Sequence, residues 1–438
     1  MLCKSTAKAT WFGHPDKLHM TTRTQCDPFA SSCASLIACV ASVLAMLTST
    51  PVQGAEWIID PQIRVAGNFD DNANLSFRTD NEESISGYIL EGSARFAYRS
   101  EVTDFFVTPI LRFRDYGDPR FDEEEQFVRM QFDRETQRND FRIRANYDRE
   151  AIRTAERSDA ELDAEDPDEI RDEGTGRVFL EGRRERFELI PTWRYRVSDA
   201  SSLKMSLAYR DIQYENKFAG LLNDYSNGRA NVSYQKGWSP RYSAIVSGTY
   251  RLYKPDGGEE VTGYGISAGI VGELSENTRL RVLAGFETTE NDIGESVRKP
   301  VGNISLVRRL QTITLLAQYR RSIKGGGSGT VSSRDEIILN LTRRLNERIS
   351  AGLGVRAYAT NALEGDVVNF DERDYVQLRA QFIWNLSRKW FIDANYRYTF
   401  INREIIGESA NSNEVTVWLS YQPRGRSNLK IADPRTRR

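Results

Sequence analysis

Residues 376–398, VQLRAQFIWNLSRKWFIDANYRY, decide the fold class. In both halves of this segment every second residue is apolar or aromatic, and the residues between them are mostly polar. A period of two is typical of a β-strand with one apolar and one polar face, and the polar pair Ser387-Arg388 between the halves indicates a tight turn. The segment therefore predicts a β-hairpin with strands of about ten residues.

The same alternation recurs from Glu56 to the C-terminal region, and no stretch of helical period competes with it. Residues 141–147 and 280–286 repeat the pattern, with arginines among the polar residues of each. A soluble β-sandwich also has alternating strands, so alternation alone does not choose between a sandwich, a propeller and a barrel. The connections between the strands carry that information.

Short and long polar connections follow each other in strict alternation. Eight short turns are expected at 100–101, 136–139, 198–201, 237–240, 275–278, 310–311, 345–347 and 387–388. Nine longer connections are expected at 68–83, 116–125, 149–182, 215–224, 254–260, 290–298, 323–333, 360–372 and 402–412. This pattern predicts an all-β fold, a closed antiparallel transmembrane β-barrel of about 18 strands (16–18) with short periplasmic turns and long external loops over residues 56–422.

A sheet in hydrocarbon must close, because an open edge would leave N–H and C=O groups without partners. Aromatic residues near the predicted strand ends would suit the interfacial girdles of such a barrel. They are Trp57, Tyr88, Tyr116, Trp238, Tyr253, Trp390 and Tyr421. A soluble sandwich or propeller with Tyr-rich strands is the alternative, but neither explains the alternation of long and short connections.

The composition is compatible with a barrel and excludes other classes. With 39% hydrophobic residues in 438, a polytopic helical membrane protein is excluded, whereas a barrel places half of each strand on a wet lumen. The net charge of -2 argues against a nucleic-acid partner, because phosphate neutralisation needs a basic surplus.

The longest apolar run in the chain is residues 35–52, SLIACVASVLAMLTSTPV. It predicts a secretory signal peptide with an N-terminal extension over residues 1–54, cleaved after Gly54 or Ala55. Met20 is an alternative start. Lipid attachment at Cys39 and retention of the run as a membrane anchor are the alternatives to cleavage.

All four cysteines and both histidines lie within the first 39 residues. The rest of the chain therefore has no Ser-His-Asp or Cys-His centre, and no thiolate or histidine zinc site. We predict no catalytic residues, no metal site and no cofactor. An outer-membrane hydrolase based on paired carboxylates is the least favoured function, since no spacing singles out such a pair.

Residues 69–75, FDDNANL, follow the first predicted strand. This motif resembles the opening of β-barrel porins that are found with exopolysaccharide export systems. The resemblance implies a Gram-negative outer-membrane porin with a role in exopolysaccharide export. Its partners would be outer-membrane lipid and lipopolysaccharide, the barrel assembly machinery and polysaccharide export components. The last strand is followed by a basic C-terminal tail, residues 423–438.

If the apolar phase faces lipid, the opposite phase lines the lumen with arginine. The predicted lumen residues are Arg129, Arg142, Arg144, Arg194, Arg196, Arg210, Arg279, Arg281, Arg320, Arg356, Arg379 and Arg397. An arginine-rich wall favours anions, which predicts a channel for anionic solutes or for an acidic polysaccharide. The alternative is that the arginines pair with carboxylates and brace the wall, as in a structural or adhesive surface barrel without transport.

The predicted loop at residues 156–173 is strongly acidic and has three possible uses. It could be a solvated external loop, a cation-binding loop, or a loop that folds into the lumen and meets the arginines. The candidate cation ligands are Asp163, Glu165, Asp166, Asp168 and Glu169. Residues 324–329, KGGGSG, are predicted to form a flexible external loop.

Overall fold

The computed structural model describes residues 55–157, 182–215, 222–292, 294–363, 372–403 and 407–424. This part of the chain contains 18 β-strands, a short helix α1 (Ile152–Ala155) and a 3-10 turn at Thr79–Asn81. The strands are β1 Glu56–Asp70, β2 Ile85–Arg99, β3 Thr103–Asp115, β4 Glu123–Glu135, β5 Asn139–Ala151, β6 Arg183–Ser198, β7 Ser201–Tyr214, β8 Tyr225–Gly237, β9 Tyr242–Pro255, β10 Val261–Ser275, β11 Thr278–Asn291, β12 Ser296–Arg309, β13 Ile313–Gly325, β14 Val331–Arg344, β15 Ile349–Ala362, β16 Arg373–Asn385, β17 Trp390–Arg403 and β18 Glu408–Tyr421. No helix among the described residues is long and apolar enough to cross a membrane.

Every strand pairs antiparallel with the next one in the chain, and β18 pairs with β1, so the sheet closes. The closing register runs from Ile63 opposite Tyr421 to Asp70 opposite Glu414. The eight predicted turns all occur at one end of the barrel, here called the turn end, where β1 begins and β18 ends. The opposite end carries the other nine connections and is called the loop end. The predicted closed barrel of 18 strands is therefore confirmed.

The barrel is apolar on its outside and polar on its inside. Large apolar side chains are exposed on the outer face, with Ile266 63% and Leu207 54% exposed. On the alternate phase the buried side chains are largely polar, and those of Gln377 and Ser420 are fully enclosed. Such a distribution would be unfavourable in water, but it suits hydrocarbon outside and a hydrated or hydrogen-bonded interior.

The strands are longer than the ten or so residues predicted from the alternation. They contain 13 to 16 residues, whereas about 9–11 tilted residues cross the hydrocarbon core. Polar stretches that were assigned to loops extend the ladders instead. Glu290, for example, pairs with Ser296 across a connection that was predicted to span 290–298. The reason is that backbone hydrogen bonds hold a hairpin together whether its side chains are apolar or polar.

Aromatic side chains form a belt outside the turn end. The ring of Trp57 packs edge-on to Tyr98 with centroids 5.0 Å apart, and Trp390 packs against Tyr421 at 4.7 Å. The girdle prediction is wrong for Tyr116 and Tyr253, because both side chains lie inside the barrel at its loop end. Tyr253 is fully buried and donates a hydrogen bond to the carbonyl of Gly326 at 2.6 Å.

The two phases of one strand provide a direct test of the inside-out arrangement. Ile266→Arg places a charge on the exposed outer face of β10, and Ser267→Arg places the same charge on its lumen side. We expect Ile266→Arg to lower the free energy of unfolding in lipid vesicles by about 2–4 kcal/mol. Ser267→Arg should change it by much less. Urea titration followed by tryptophan fluorescence measures both, and equal losses would contradict the assigned faces.

Candidate functional site: the arginine-lined lumen

The structure places all twelve predicted lumen arginines on the strand phase that faces away from the apolar exterior. Most of them contact carboxylates. Four of them each pair with one carboxylate: Arg129 with Asp148, Arg142 with Asp133, Arg210 with Glu188 and Arg397 with Glu414. Arg320 and Arg356 share the carboxylate of Glu336. Arg196 forms ion pairs with both Glu135 and Asp140. Interactions also involve Arg144, Arg281 and Arg379. Pairing is therefore the common state of the wall.

Arg194 and Arg279 differ from the other predicted residues. Both are exposed near the turn end, and within the described part of the chain neither makes an ion pair or a hydrogen bond. Both guanidinium groups are open to solvent at this end of the barrel.

A continuous belt of alternating charges lines β1 to β4. Glu91 lies 3.2 Å from Arg64 and 2.7 Å from Arg112. Glu125 in turn lies 3.1 Å from both Arg112 and Arg114. Each buried carboxylate thus has two cationic partners, which compensates for its desolvation. The belt braces neighbouring strands and leaves little uncompensated charge.

The two halves of the wall differ in charge. On β17, β18 and β1 to β6 the lumen-facing phase carries many carboxylates, namely Glu56, Asp60, Asp70, Glu91, Asp104, Glu123, Glu125, Asp133, Glu135, Asp140, Asp148, Glu150, Glu188, Asp393, Glu408 and Glu414. On β7 to β16, within the described strands, it carries only Glu273, Glu287 and Glu336. The cations on that same phase of β7 to β16 are Lys204, Arg210, Arg229, Arg251, Arg279, Arg281, Lys299, Arg309, Arg320, Lys324, Arg334, Arg344, Arg356, Arg373 and Arg379. We call this part of the wall the basic half.

Residues 152–157, here called the inward segment, follow β5 and enter the lumen, where most of them are buried. Arg157 reaches the β1 side: its guanidinium lies 2.6 Å from the carboxylate of Asp70 and donates to the carbonyl of Ala73 at 2.6 Å. Glu156 is held on the β6–β7 side by Arg184 at 3.2 Å and by the hydroxyl of Tyr214 at 2.9 Å. The segment therefore bridges two sides of the wall.

Arg153 fixes the inward segment to a third point. Its guanidinium donates to Glu123 at 2.9 Å and lies over the ring of Tyr116, 5.3 Å from the centroid. Burial lowers the pKa of Arg153, but Glu123 and Tyr116 together raise it by more, so its pKa lies above the ordinary value. The Arg153 side chain therefore stays positively charged across the physiological pH range.

The motif at residues 69–75 joins this segment to the closing seam of the barrel. Asp70 accepts hydrogen bonds from Arg157 and from Ser412 of β18 at 2.7 Å. Asp71 accepts from both the backbone and the side-chain amide of Asn413 at 2.7 Å. Asn72 donates to the carbonyl of Asn411 at 2.8 Å. The two aspartates and the asparagine thus fasten the first loop to β18 and to the inward segment.

Residues 324–329 do not extend away from the barrel as the composition predicted. A Cβ at Gly325 would lie 2.3 Å from the ring of Tyr253, and one at Gly327 would lie 2.6 Å from the hydroxyl of Tyr214. The amide of Asn223 also donates to the carbonyl of Gly327 at 2.7 Å. The glycines are needed because only a chain without side chains can approach the inner wall so closely.

The tip of the β13–β14 hairpin consequently folds across the lumen. Val331, which lies on the outward-facing phase of β14, packs here against a buried cluster on the inside of the barrel. The members of this cluster are Ile152, Ile212, Tyr214, Leu222, Tyr225 and Tyr253. Together with the inward segment, the hairpin tip narrows the loop end of the lumen.

Several predicted features lie outside the described residues. They are the signal region 1–54, most of the C-terminal tail, and the candidate cation ligands Asp163, Glu165, Asp166, Asp168 and Glu169. Of the acidic stretch 156–173, only Glu156 and Arg157 are described, and both lie inside the barrel.

Sequence reasoning missed important members of the site. Arg64, Arg112, Arg229 and Arg251 occupy lumen-facing positions, and the alternation of their strands was sufficient to find them. Arg157 carried no such signal, because it follows a strand and reaches its partner Asp70 only through the folded chain.

A closed antiparallel barrel with an apolar exterior and a polar lumen is a β-barrel of the Gram-negative outer membrane, with a porin-like fold. No family model and no curated protein matches the chain. Among solved structures, OpdO from Pseudomonas aeruginosa is similar at a TM-score of 0.44 with 11% identity, over 85% of this chain and 97% of that chain. OpdQ from the same organism gives 0.44 with 9% identity, over 84% and 98%. A mutant of its ferric enterobactin receptor PfeA gives 0.43 with 10%, over 83% and 80%. The class assignment rests on the sheet and its faces, since such low similarity carries no functional weight.

Removal of the Arg157 side chain tests how the inward segment is held. In Arg157→Met the buried carboxylate of Asp70 loses its cation, which should weaken the attachment by about 3–5 kcal/mol. Amide hydrogen exchange at residues 152–157 should accelerate strongly while the strands stay protected. Arg196→Met is the matched control, because its ion pairs are exposed and contribute about 0–1 kcal/mol. Unchanged exchange at residues 152–157 would show that Arg157 does not hold the segment.

Proposed function

We propose that the protein is an outer-membrane channel for anionic solutes, and that the basic half of the wall is the path they follow. The observation that carries this proposal is the scarcity of carboxylates on the lumen side of β7 to β16, where cations project from most strands. On β1 to β4 the carboxylates of Glu91 and Glu125 each lie between two arginines, whereas on the described strands β7 to β16 the lumen-facing cations far outnumber the lumen-facing carboxylates.

The planar guanidinium group suits this role. It can donate two parallel hydrogen bonds to a carboxylate, sulfate or phosphate group and exchange one solute for the next. Several weak sites in series allow entry without permanent retention, which conduction requires. The other half of the wall, formed by β17, β18 and β1 to β6 and here called the paired half, would then serve to hold the barrel open and to anchor the inward segment.

An acidic polysaccharide is the polymeric form of the same solute class and is our second candidate. The observation in its favour is that cations on the lumen side of the basic half extend from the exposed Arg279 near the turn end to Arg251 near the loop end. A chain with regularly spaced carboxylates could contact several of them at once. Export components would be partners only in this case.

The inward segment and the hairpin tip would set the width of the path. Both lie at the loop end, and the ion pairs that hold the inward segment are contacts for which an anionic solute could compete. A structural or adhesive barrel without transport is the competing function, and it requires a lumen that does not conduct.

The difference between the two halves predicts unequal effects of charge reversal. Arg379 and Arg144 each lie on the lumen side near the middle of a strand, Arg379 in the basic half and Arg144 in the paired half. In planar bilayers under a KCl gradient we expect the wild type to favour chloride. Arg379→Glu should reduce the chloride-to-potassium permeability ratio by about twofold or more, since about 0.4 kcal/mol corresponds to twofold.

Arg144→Glu is the matched control and should have the smaller effect. Equal effects of both substitutions, or a wild type without anion preference, would contradict the role of the basic half. The absence of any conductance would favour the structural or adhesive barrel.

A further inference from the structure

Four arginines of the basic half meet where the β13–β14 hairpin folds in. They are Arg210 on β7, Arg229 on β8, Arg251 on β9 and Arg320 on β13. Arg229 lies close enough to the other three for their positive charges to act on it. Arg251 also donates a hydrogen bond to the backbone carbonyl of Ile323 on β13, which shows how near that strand comes to β9.

Arg229 and Arg251 stand directly opposite each other in the β8–β9 ladder. Like charges at directly opposite positions of a sheet are destabilising, and partial burial strengthens the repulsion. Glu287 lies near both arginines and offsets part of this repulsion.

The nearby carboxylates are already engaged with other arginines. Glu188 pairs with Arg210, and Glu287 lies 3.0 Å from Arg251. Glu336 is shared between Arg320 and Arg356. Within the described residues, Arg229 makes no hydrogen bond and no ion pair. Among the described residues, three carboxylates are thus shared by the four arginines of this group and Arg356.

The group is also reachable from the lumen. The side chains of Arg210 and Arg320 are 15% and 16% exposed to solvent, and Arg229 is only partly buried. Their donors come from two sides, the β7–β9 wall and the β13 hairpin. Arginine donors that converge from two sides on a partly dry space are suited to an oxyanion, because each oxygen can accept a charge-assisted hydrogen bond.

We propose that Arg229, together with Arg210, Arg251 and Arg320, forms a binding site for the oxyanion group of a solute, a carboxylate or a sulfate. The inference rests on the proposed function and deepens it, because it names one discrete site and its ligand chemistry within the basic half. Binding relieves the repulsion between Arg229 and Arg251 and links the hairpin to the opposite wall.

The test uses binding and stability rather than conductance. Sodium sulfate and sodium galacturonate are titrated calorimetrically into the purified protein in detergent micelles, with sodium chloride at equal ionic strength as the reference. We expect saturable binding of at least one probe, and the stronger one identifies the sulfate or the carboxylate source. Arg229→Gln should weaken it by about tenfold or more, as expected for a lost charge-assisted hydrogen bond, and Arg229→Lys should weaken it less.

Arg194→Gln is the matched control, because it removes another arginine without a described partner far along the barrel, near the turn end. It should bind the probes as the wild type does. A second measurement separates binding from folding. Without oxyanion, Arg229→Gln should melt at least as high as the wild type, because one repulsion is gone. With saturating probe, only the wild type and the control should gain stability.

Three outcomes would overturn the site. They are no saturable binding of either probe, equal loss in Arg229→Gln and Arg194→Gln, or a melting temperature of Arg229→Gln that falls in oxyanion-free buffer. Binding that appears only after Asp163, Glu165, Asp166, Asp168 and Glu169 are changed to amides would also overturn it, since the chain's own carboxylates would then be the ligand. If the protein binds the oxyanion but does not conduct, the proposed channel is refuted and the proposed binding site stands. If it conducts but binds neither probe, the binding site is refuted and the channel stands.

Discussion

The structure depends on one constraint, the need to pair every backbone N–H and C=O group of a sheet that crosses hydrocarbon. The seam between β1 and β18 meets this need, although its pairing is short and extends only from Ile63 to Asp70 on β1. Backbone hydrogen bonds close the barrel, and side chains reinforce the loop end of the seam. There Asp70 and Asp71 bind Ser412 and Asn413 of β18.

Closure of the barrel encloses the charged side chains that line its lumen. A carboxylate or guanidinium inside the barrel loses part of its hydration, so it needs a partner from a neighbouring strand or from a solute. The two halves of the wall differ in how far neighbouring strands supply such partners. Glu91 and Glu125 complete a network on β1 to β4, whereas Arg229 and Arg251 face each other on β8 and β9. The side of the wall with few lumen-facing carboxylates on its described strands is the side on which function is proposed.

The loop end shows how backbone and side chains combine to narrow a barrel. The inward segment is held by charges, chiefly through Arg153 and Arg157. The hairpin tip is held by close backbone approach, which Gly325 and Gly327 permit. These are different kinds of contact, and only the first depends on charged groups that an ionic solute could compete for.

Much of the fold could be predicted because alternation is a local property. Residues 376–398 already show two strands, their faces and their turn, and the same pattern elsewhere determined the number of strands and the lumen phase of Arg129, Arg142 and Arg379. Strand length, the inward position of Tyr116 beyond the end of β3, and the packing of residues 324–329 could not be read in this way. The sequence by itself determined the closed barrel and which residues face the lumen, since periodicity involves neighbours in the chain. Only the tertiary structure decided which arginine meets a carboxylate and which meets another arginine. Those contacts join residues far apart in sequence, because they depend on strand register and on the inward fold of the β13–β14 hairpin.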